Sequence, residues 1–131
     1  MISEFPTTLE AAEAAHAKGM KVVVGAPNVV LGRSHSDNVN AQHLVERGLV
    51  DALASDYVPC SLLHGAFLLH EIGVVALPEA IAMVTQAPAQ MAGLTDRGVI
   101  EIGRRADLVL VRTGHGVATA TMVWREGQRV A

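Results

Sequence analysis

One acidic residue stands where parallel-sheet enzymes place their reacting groups. Asp56 follows the apolar residues 49–54, which predict a strand with one acidic interruption at Asp51. Side chains at the carboxyl ends of parallel barrel strands converge on the reaction centre. A carboxylate there can accept a proton during catalysis, or it can cap the helix that follows. Asp56 is therefore the first catalytic candidate, with helix capping as the alternative.

A second carboxylate, Glu4, occupies the corresponding end of the strand-like residues 1–5. A carboxylate can ligate hard or borderline divalent metals. It can equally pair with a neighbouring group at a strand end or in a loop. The residue type alone leaves both roles open.

Candidates for binding an anion follow the second predicted strand. Arg33 and His35 lie in the polar stretch 28–40, on the same face as Asp56 if the strands are parallel. A guanidinium and an imidazole beside backbone N–H groups suit a phosphate. Asn28 and Tyr57 are weaker substrate-binding candidates of the same sort, and an ordinary solvated loop is the alternative.

The elements that must position these residues alternate between helix and strand. Thr7 and Glu10 form a capping-box pattern before an Ala-rich helix that ends at Gly19. The β-branched residues 21–25 predict a strand buried on both faces, and helical spacing resumes over 41–47. This alternation indicates an α/β fold with a parallel sheet and right-handed crossovers.

Two more helices are predicted before the chain changes character. The first carries an apolar stripe, and the second has Pro78 at its first position; the stripe comprises Leu62, Leu63, Phe67 and Leu68. Residues 98–103 then read as turn, strand and turn, and residues 118–130 as a hairpin around Glu126-Gly127. We expect one unit over 1–94 and a β segment over 95–131, and the family resemblance described below implies that the first unit is a partial barrel.

The composition of the chain argues against some classes of binding partner. The 131 residues are 50% hydrophobic with a net charge of -3 and no basic cluster beyond Arg104-Arg105, which is expected to be solvated. These values predict no nucleic acid and no anionic membrane as partner. The single Cys60 and the absence of a continuous apolar run of spanning length favour a cytoplasmic protein without a membrane segment.

Two segments carry a family resemblance. Residues 98–111 read G-V-I-E-I-G-R-R-A-D-L-V-L-V, which resembles the return to the small β-sandwich in the amidohydrolase superfamily. Residues 85–94 look like the short helix that precedes this return. The resemblance implies the C-terminal part of a TIM-type (β/α)8 barrel, about its last three βα units, followed by a β-rich tail of the small β-sandwich.

The resemblance also implies roles for the strand-end carboxylates. Asp56 would be the last-strand aspartate, which touches a metal and takes a proton from metal-activated water, and Glu4 would be a metal ligand where many members have histidine. A divalent metal, zinc or similar, is implied for the complete enzyme. This sequence has no His-x-His segment, so the site is expected to be incomplete and this chain alone need bind no metal.

Within the superfamily, residues 3–8, 25–28, 34–36 and 55–59 resemble the diphosphatase branch of phosphonate metabolism. That likeness implies a small phosphorylated substrate from which pyrophosphate is cleaved. Two alternatives stay open: a catalytically silent fragment, and an enzyme acting on a cyclic amide or N-acyl compound. A homo-oligomer is expected in any case, because a part-barrel leaves a sheet edge uncovered.

Overall fold

The computed structural model describes residues 1–32, 38–114 and 116–131. Within these ranges, six strands form two three-stranded sheets. All six helices precede the second sheet in the chain. The elements in chain order are β1 (Ile2–Glu4), α1 (Leu9–Ala17), β2 (Lys21–Gly25), α2 (Ala26–Leu31), α3 (Ala41–Glu46), β3 (Ala52–Ala54), α4 (Ser61–Glu71), α5 (Leu77–Ala82), α6 (Gln86–Met91), β4 (Leu108–Gly114), β5 (Val117–Arg125) and β6 (Gln128–Arg129).

The first sheet is parallel throughout, in the order β1-β2-β3, as strand–helix alternation predicted. The predicted third strand, 49–54, is shorter in the structure. It begins at Ala52 because the Asp51 carboxylate accepts the Val22 N–H at 2.8 Å. A side chain thus replaces part of the backbone ladder at the start of this strand.

One face of the parallel sheet forms the core. Val22, Val24 and Leu53 are buried there beneath the helices, and Leu44 and Leu69 are among the most completely buried side chains. The stripe predicted on α4 is wrong in phase, because its four members are only half-buried. The helix instead buries the row Ser61, Gly65 and Leu69 together with Ala66.

A close approach of two helices explains this phase. A β-carbon on Gly65 would lie 3.4 Å from the Ala26 Cβ of α2. That separation is at the tight end of van der Waals contact, so the smallest residue of α4 determines which face of the helix turns inward.

Two predicted details near the first two strands are corrected. The cap of α1 is Thr8, whose Oγ1 accepts the Ala11 N–H at 3.1 Å, so Thr7 and Glu10 do not form a capping box. The polar stretch after β2 is not all loop, because α2 begins directly at Ala26. Pro27 fits the first turn of that helix, where its missing N–H costs nothing.

The second sheet is an antiparallel meander, β4-β5-β6. The hairpin predicted around Glu126-Gly127 is confirmed, and both residues have positive φ, 52° and 79°. The strand predicted within 98–103 is wrong. Ile100 and Ile102 are 91% and 103% exposed, and no strand of the described ranges pairs with them.

The pair Arg104-Arg105 is not simply solvated. Arg105 lies 2.8 Å from the Asp107 carboxylate and 3.0 Å from that of Glu126. Asp107 Oδ1 also accepts the Glu126 N–H at 2.9 Å, and this hydrogen bond is the main reason that the Asp107 pKa is lowered. The cluster ties the hairpin to the segment that precedes β4.

Candidate functional site

The carboxyl ends of the three parallel strands lie at one end of the first sheet. The candidate residues stand at these strand ends or directly after them. Glu4 is the last residue of β1, Asn28 lies in the first turn of α2 directly after β2, and Asp56 comes two residues after β3. Parallel pairing places these three strand ends on the same side of the sheet. The structure therefore brings polar residues from separate parts of the sequence to the carboxyl end of the sheet.

Asp56 adopts a conformation that side-chain-bearing residues seldom take. Its φ is 50°, and it lies in a turn that the Val58 N–H closes by donating to the Ser55 carbonyl at 3.0 Å. Such backbone strain is often retained at functional sites. The exposed Asp56 does not cap the next helix, because α4 has Cys60 at its N-cap. The capping alternative is therefore wrong.

Ser61 supports this turn by hydrogen bonds to its last residue, a role that the sequence did not predict. It is buried, and its Oγ donates to the Val58 carbonyl at 2.6 Å, while its N–H reaches the same oxygen at 2.9 Å. The available signal was a serine at the start of a helix just beyond the candidate aspartate. Ser61 links the position of Asp56 to α4.

Phe5 is a second residue that the sequence analysis did not single out. Its φ is 52°, and a β-carbon on Gly25 would stand 3.3 Å from Phe5 Cε1 and 3.5 Å from Asn28 Nδ2. Phe5 and Asn28 line a cleft of ≈ 40 Å³. That volume is close to one water molecule's share of liquid, well short of the roughly 300 Å³ of small ligand sites.

Glu4 lies on one outer strand, β1, and Asp56 follows the other, β3, with β2 between the two strands. Glu4 shares a row with Val23 and Ala52, whereas Asp56 lies beyond the end of β3. Two strand spacings separate the backbones of β1 and β3 by about 10 Å across the sheet. Glu4 also makes no ion pair with another described residue.

The described residues do not by themselves fit a metal ion. Zinc in proteins takes three or four ligands at about 2.0–2.3 Å. Within residues 1–32, 38–114 and 116–131, no three His, Cys, Asp or Glu side chains come together. The donor roles of Asp56 and Glu4 remain predictions that require ligands from elsewhere.

Of the remaining substrate-binding candidates, one lies within the described residues and two lie outside them. Tyr57 is next to Asp56 and is 66% exposed. Arg33 and His35 lie outside the described residues. The flanks of their segment are fixed near the edge: Asn40 Nδ2 donates to the Gly32 carbonyl at 2.8 Å, and the Val39 N–H donates to the Thr7 carbonyl at 3.0 Å.

The larger cavity, ≈ 220 Å³, lies at the opposite edge, beside the strand starts Met1, Lys21 and Asp51. Burial by itself would raise the Asp51 pKa there. Hydrogen bonds from Lys21 Nζ and the Val22 N–H, both 2.8 Å, outweigh burial and hold the pKa below its ordinary value. Barrel enzymes react at the carboxyl ends of strands, so we interpret this cluster as structural.

The described part of the chain thus has a parallel α/β sheet with an aspartate in a turn of positive φ beyond its last strand. Comparison with known sequences identifies the family. The model of the Amidohydrolase family matches residues 8–131, and the chain therefore belongs to the amidohydrolase family and is a hydrolase by family. Members of this superfamily are typically metal-dependent.

Two curated relatives are similar to the chain. It is 51% identical over 132 residues to alpha-D-ribose 1-methylphosphonate 5-triphosphate diphosphatase of Escherichia coli (strain K12), covering 99% of this chain and 35% of the relative. It is 31% identical over 115 residues to a dihydroorotase of Methanopyrus kandleri, covering 75% and 26%. The chain thus spans about a third or less of either relative.

Solved structures support the fold alone. An amidohydrolase from Thermotoga maritima MSB8 superposes with a TM-score of 0.61 at 19% identity, over 100% of this chain and 43% of that one. An adenine deaminase superposes with a TM-score of 0.58 at 21% identity, over 92% and 38%. No helix in the described ranges is long and apolar enough to cross a bilayer.

Proposed function

We propose that this chain supplies the last three βα units and the following β segment of a hydrolase that cleaves pyrophosphate from alpha-D-ribose 1-methylphosphonate 5-triphosphate. The observation that carries the proposal is the 51% identity, over 99% of the chain, to the E. coli enzyme of that name. The proposed role is in phosphonate metabolism in the cytoplasm, and the direct partner is this small phosphorylated substrate.

Asp56 is the catalytic residue of the proposal. Its exposed carboxylate stands beyond the last strand of the parallel sheet, where it can accept a proton from attacking water. The turn closed between Ser55 and Val58, and buttressed by Ser61, holds it there without a flexible loop. Preorganisation of this kind lowers the cost of placing the base in the reaction.

The triphosphate group is assigned to the stretch between α2 and α3. Asn28 lies at the carboxyl edge beside Phe5, and both flanks of the segment with Arg33 and His35 are fixed by hydrogen bonds. Arginine and histidine there would meet the charge of the substrate, and Tyr57 would contact it from the Asp56 side. A divalent metal belongs to the complete enzyme, with Asp56 and Glu4 as proposed partial ligands.

A second candidate keeps the family and changes the substrate to a cyclic amide or N-acyl compound. The match to a dihydroorotase over 75% of the chain favours it. The strand-end aspartate would serve either reaction, so Asp56 does not discriminate between them. In this proposal, Arg33 and His35, which lie outside the described residues, are the side chains that would decide between the two substrates.

A chimera tests the proposal. The aligned third of the E. coli relative is replaced by this chain, and the purified protein is assayed for pyrophosphate release from the ribose triphosphate and for dihydroorotate hydrolysis. We expect pyrophosphate release only, and a substantial loss in Arg33→Ala. A folded chimera active only on dihydroorotate would establish the second candidate instead. The 131-residue chain alone is expected to be inactive, because no three His, Cys, Asp or Glu side chains of its described residues come together to hold a metal.

A further inference from the structure

Phe5 follows β1 in a backbone conformation that a bulky residue seldom adopts. Its φ is 52°, in the left-handed region that a β-carbon disfavours. The Phe5 N–H nevertheless continues the pairing of β1 with β2 by donating to the Val23 carbonyl at 2.9 Å. A conformation of this kind persists only where surrounding contacts fix it, and such positions cluster at binding and catalytic sites.

The other non-glycine residues of positive φ place Phe5 in a small group. Among the described residues these are Asp56 and Glu126. Glu126 lies in the hairpin turn between β5 and β6, a type of connection that commonly requires positive φ. Phe5 and Asp56 instead follow the parallel strands β1 and β3, where no hairpin explains the conformation. Both stand at the carboxyl end of the sheet.

The strand register shows which face of the sheet the Phe5 ring reaches. Val24 points to the helices and belongs to the core. Because side chains alternate along a strand, Val23 and Gly25 face the other way, and Glu4, which pairs with Val23, shares that face. A β-carbon on Gly25 would lie 3.3 Å from Phe5 Cε1. The ring therefore occupies the space of the last side chain of β2, on the face that a (β/α)8 barrel turns inward.

The side-chain amide of Asn28 borders the same space. Its Nδ2 would lie 3.5 Å from the β-carbon position of Gly25, and both Phe5 and Asn28 line the small cleft described above. Gly25 is extended, with φ -73° and ψ 125°, so its backbone does not require glycine. The absent side chain instead leaves space that the ring and the amide share. These contacts all lie on the β2 side of Phe5.

We propose that Phe5 is a positioning residue, which holds the Asn28 amide toward the substrate by filling the space over Gly25. This inference rests on the proposed function, in which Asn28 contacts the phosphorylated substrate. An asparagine side chain that is free to rotate loses conformational freedom when it binds a ligand. An aromatic ring fixed beside it removes part of that loss in advance. Phe5 thus increases affinity through Asn28.

The test is a double-mutant cycle in the chimera, with KM for pyrophosphate release as the readout. Asn28→Ala should raise KM about tenfold through the loss of a hydrogen bond to a charged group. Phe5→Leu should also raise KM, with a smaller effect on kcat. The double variant should be no worse than Asn28→Ala alone, because Phe5 acts through the amide. Effects that multiply would overturn the proposal, as would an unchanged KM in Phe5→Leu.

Gly25→Ala changes the same contact without removing either side chain. Its added methyl group must displace the ring or the amide, so KM should rise. Leucine at position 5 lacks the ε-carbon that the methyl group meets. The combination with Phe5→Leu should therefore raise KM by less than the product of the two single effects. Ile72→Ala is the matched control, since Ile72 is an exposed apolar residue at the C-terminal end of α4, and it should leave KM unchanged.

The position of the amide can also be measured without substrate. In NMR spectra of the 131-residue chain, the side-chain NH2 resonances of Asn28 should shift in Phe5→Leu and in Gly25→Ala, and stay in place in Ile72→Ala. Unmoved Asn28 resonances would overturn the inference even where the chimera is active. A chimera that releases no pyrophosphate, together with shifted Asn28 resonances, would count against the proposed function and support the contact between ring and amide.

Discussion

Gly98 lies so close to Ala89 that a β-carbon added to the glycine would stand 2.9 Å from the alanine Cβ. Gly98 also has a φ of 93°. Glycine is thus needed at position 98, the first glycine of the motif in residues 98–111, for two reasons. One is its backbone conformation, and the other is the close contact that joins this segment to α6. Gly103, the second glycine, has a φ of 87° but no neighbour within 4 Å of such an atom.

This contrast gives the first prediction. Gly98→Ala should lower the free energy of unfolding by about 3 kcal/mol or more, from left-handed strain plus overpacking. Gly103→Ala, the matched control, should cost only about 1–2 kcal/mol from backbone strain. Urea unfolding measures both. Equal losses would show that the contact with Ala89 contributes nothing.

The sequence patterns predicted the parts of the fold that depend on local physics. The β-branched residues 21–25 form β2 as predicted, and Glu126-Gly127 turns the hairpin because its conformation is encoded by two adjacent residues. The strand predicted in 98–103 failed because a strand requires a neighbour, and the sequence pattern of Ile100 and Ile102 carries no information about one.

The candidate site could be predicted only in part, because some of its features are local in sequence and others depend on packing between elements. The position of Asp56 beyond a strand could be predicted because the strand end is visible in the sequence, and its catalytic role stays a prediction. The supporting contacts of Ser61 and the packing of Phe5 on Gly25 could not, since they depend on distances between elements. The α4 stripe was misplaced because the inward face is decided by contact with Ala26, which lies 39 residues earlier in the chain.

The Asp51 carboxylate should make stability depend on pH. Its pKa is lowered in the folded chain, so its contribution is present above the unfolded value of about 3.9 and is lost as pH falls through the folded value. Asp51→Asn should cost about 1–3 kcal/mol near neutral pH. The cost should shrink below about pH 4, as measured by urea unfolding across the acid range.

The control for that experiment is Lys21→Met. Lys21 is exposed and its ion pair contributes little, whereas the bond from the Val22 N–H is the better shielded one. The lysine variant should therefore lose less stability than Asp51→Asn. A loss at Asp51 that stays constant from pH 7 to pH 3 would contradict the assigned role.

Strain at Asp56 predicts an unusual ranking of substitutions. Glycine adopts a φ of 50° freely, and alanine does not. Asp56→Gly should therefore be more stable than Asp56→Ala by about 1 kcal/mol, although both remove the carboxylate. Thermal unfolding of the two variants measures the difference. Equal stability would show that the turn relaxes when the aspartate is replaced.

Ser61 should hold the turn that carries Asp56. Ser61→Ala removes the 2.6 Å hydrogen bond to the Val58 carbonyl and should cost about 1 kcal/mol. In NMR spectra, the amide shifts of Asp56 and Tyr57 should change, which a purely general loss of stability would not produce. The exposed Thr95→Ala serves as the control. Unchanged amides at Asp56 and Tyr57 would separate Ser61 from the site.

Asp56 is proposed to be the base that accepts a proton from the attacking water. The most direct test is the rate of pyrophosphate release by the chimera with Asp56→Asn, which keeps the shape of the side chain and removes the base. We expect a loss of at least about 100-fold with the fold preserved. A folded Asp56→Asn chimera that releases pyrophosphate as fast as the unsubstituted one would contradict it.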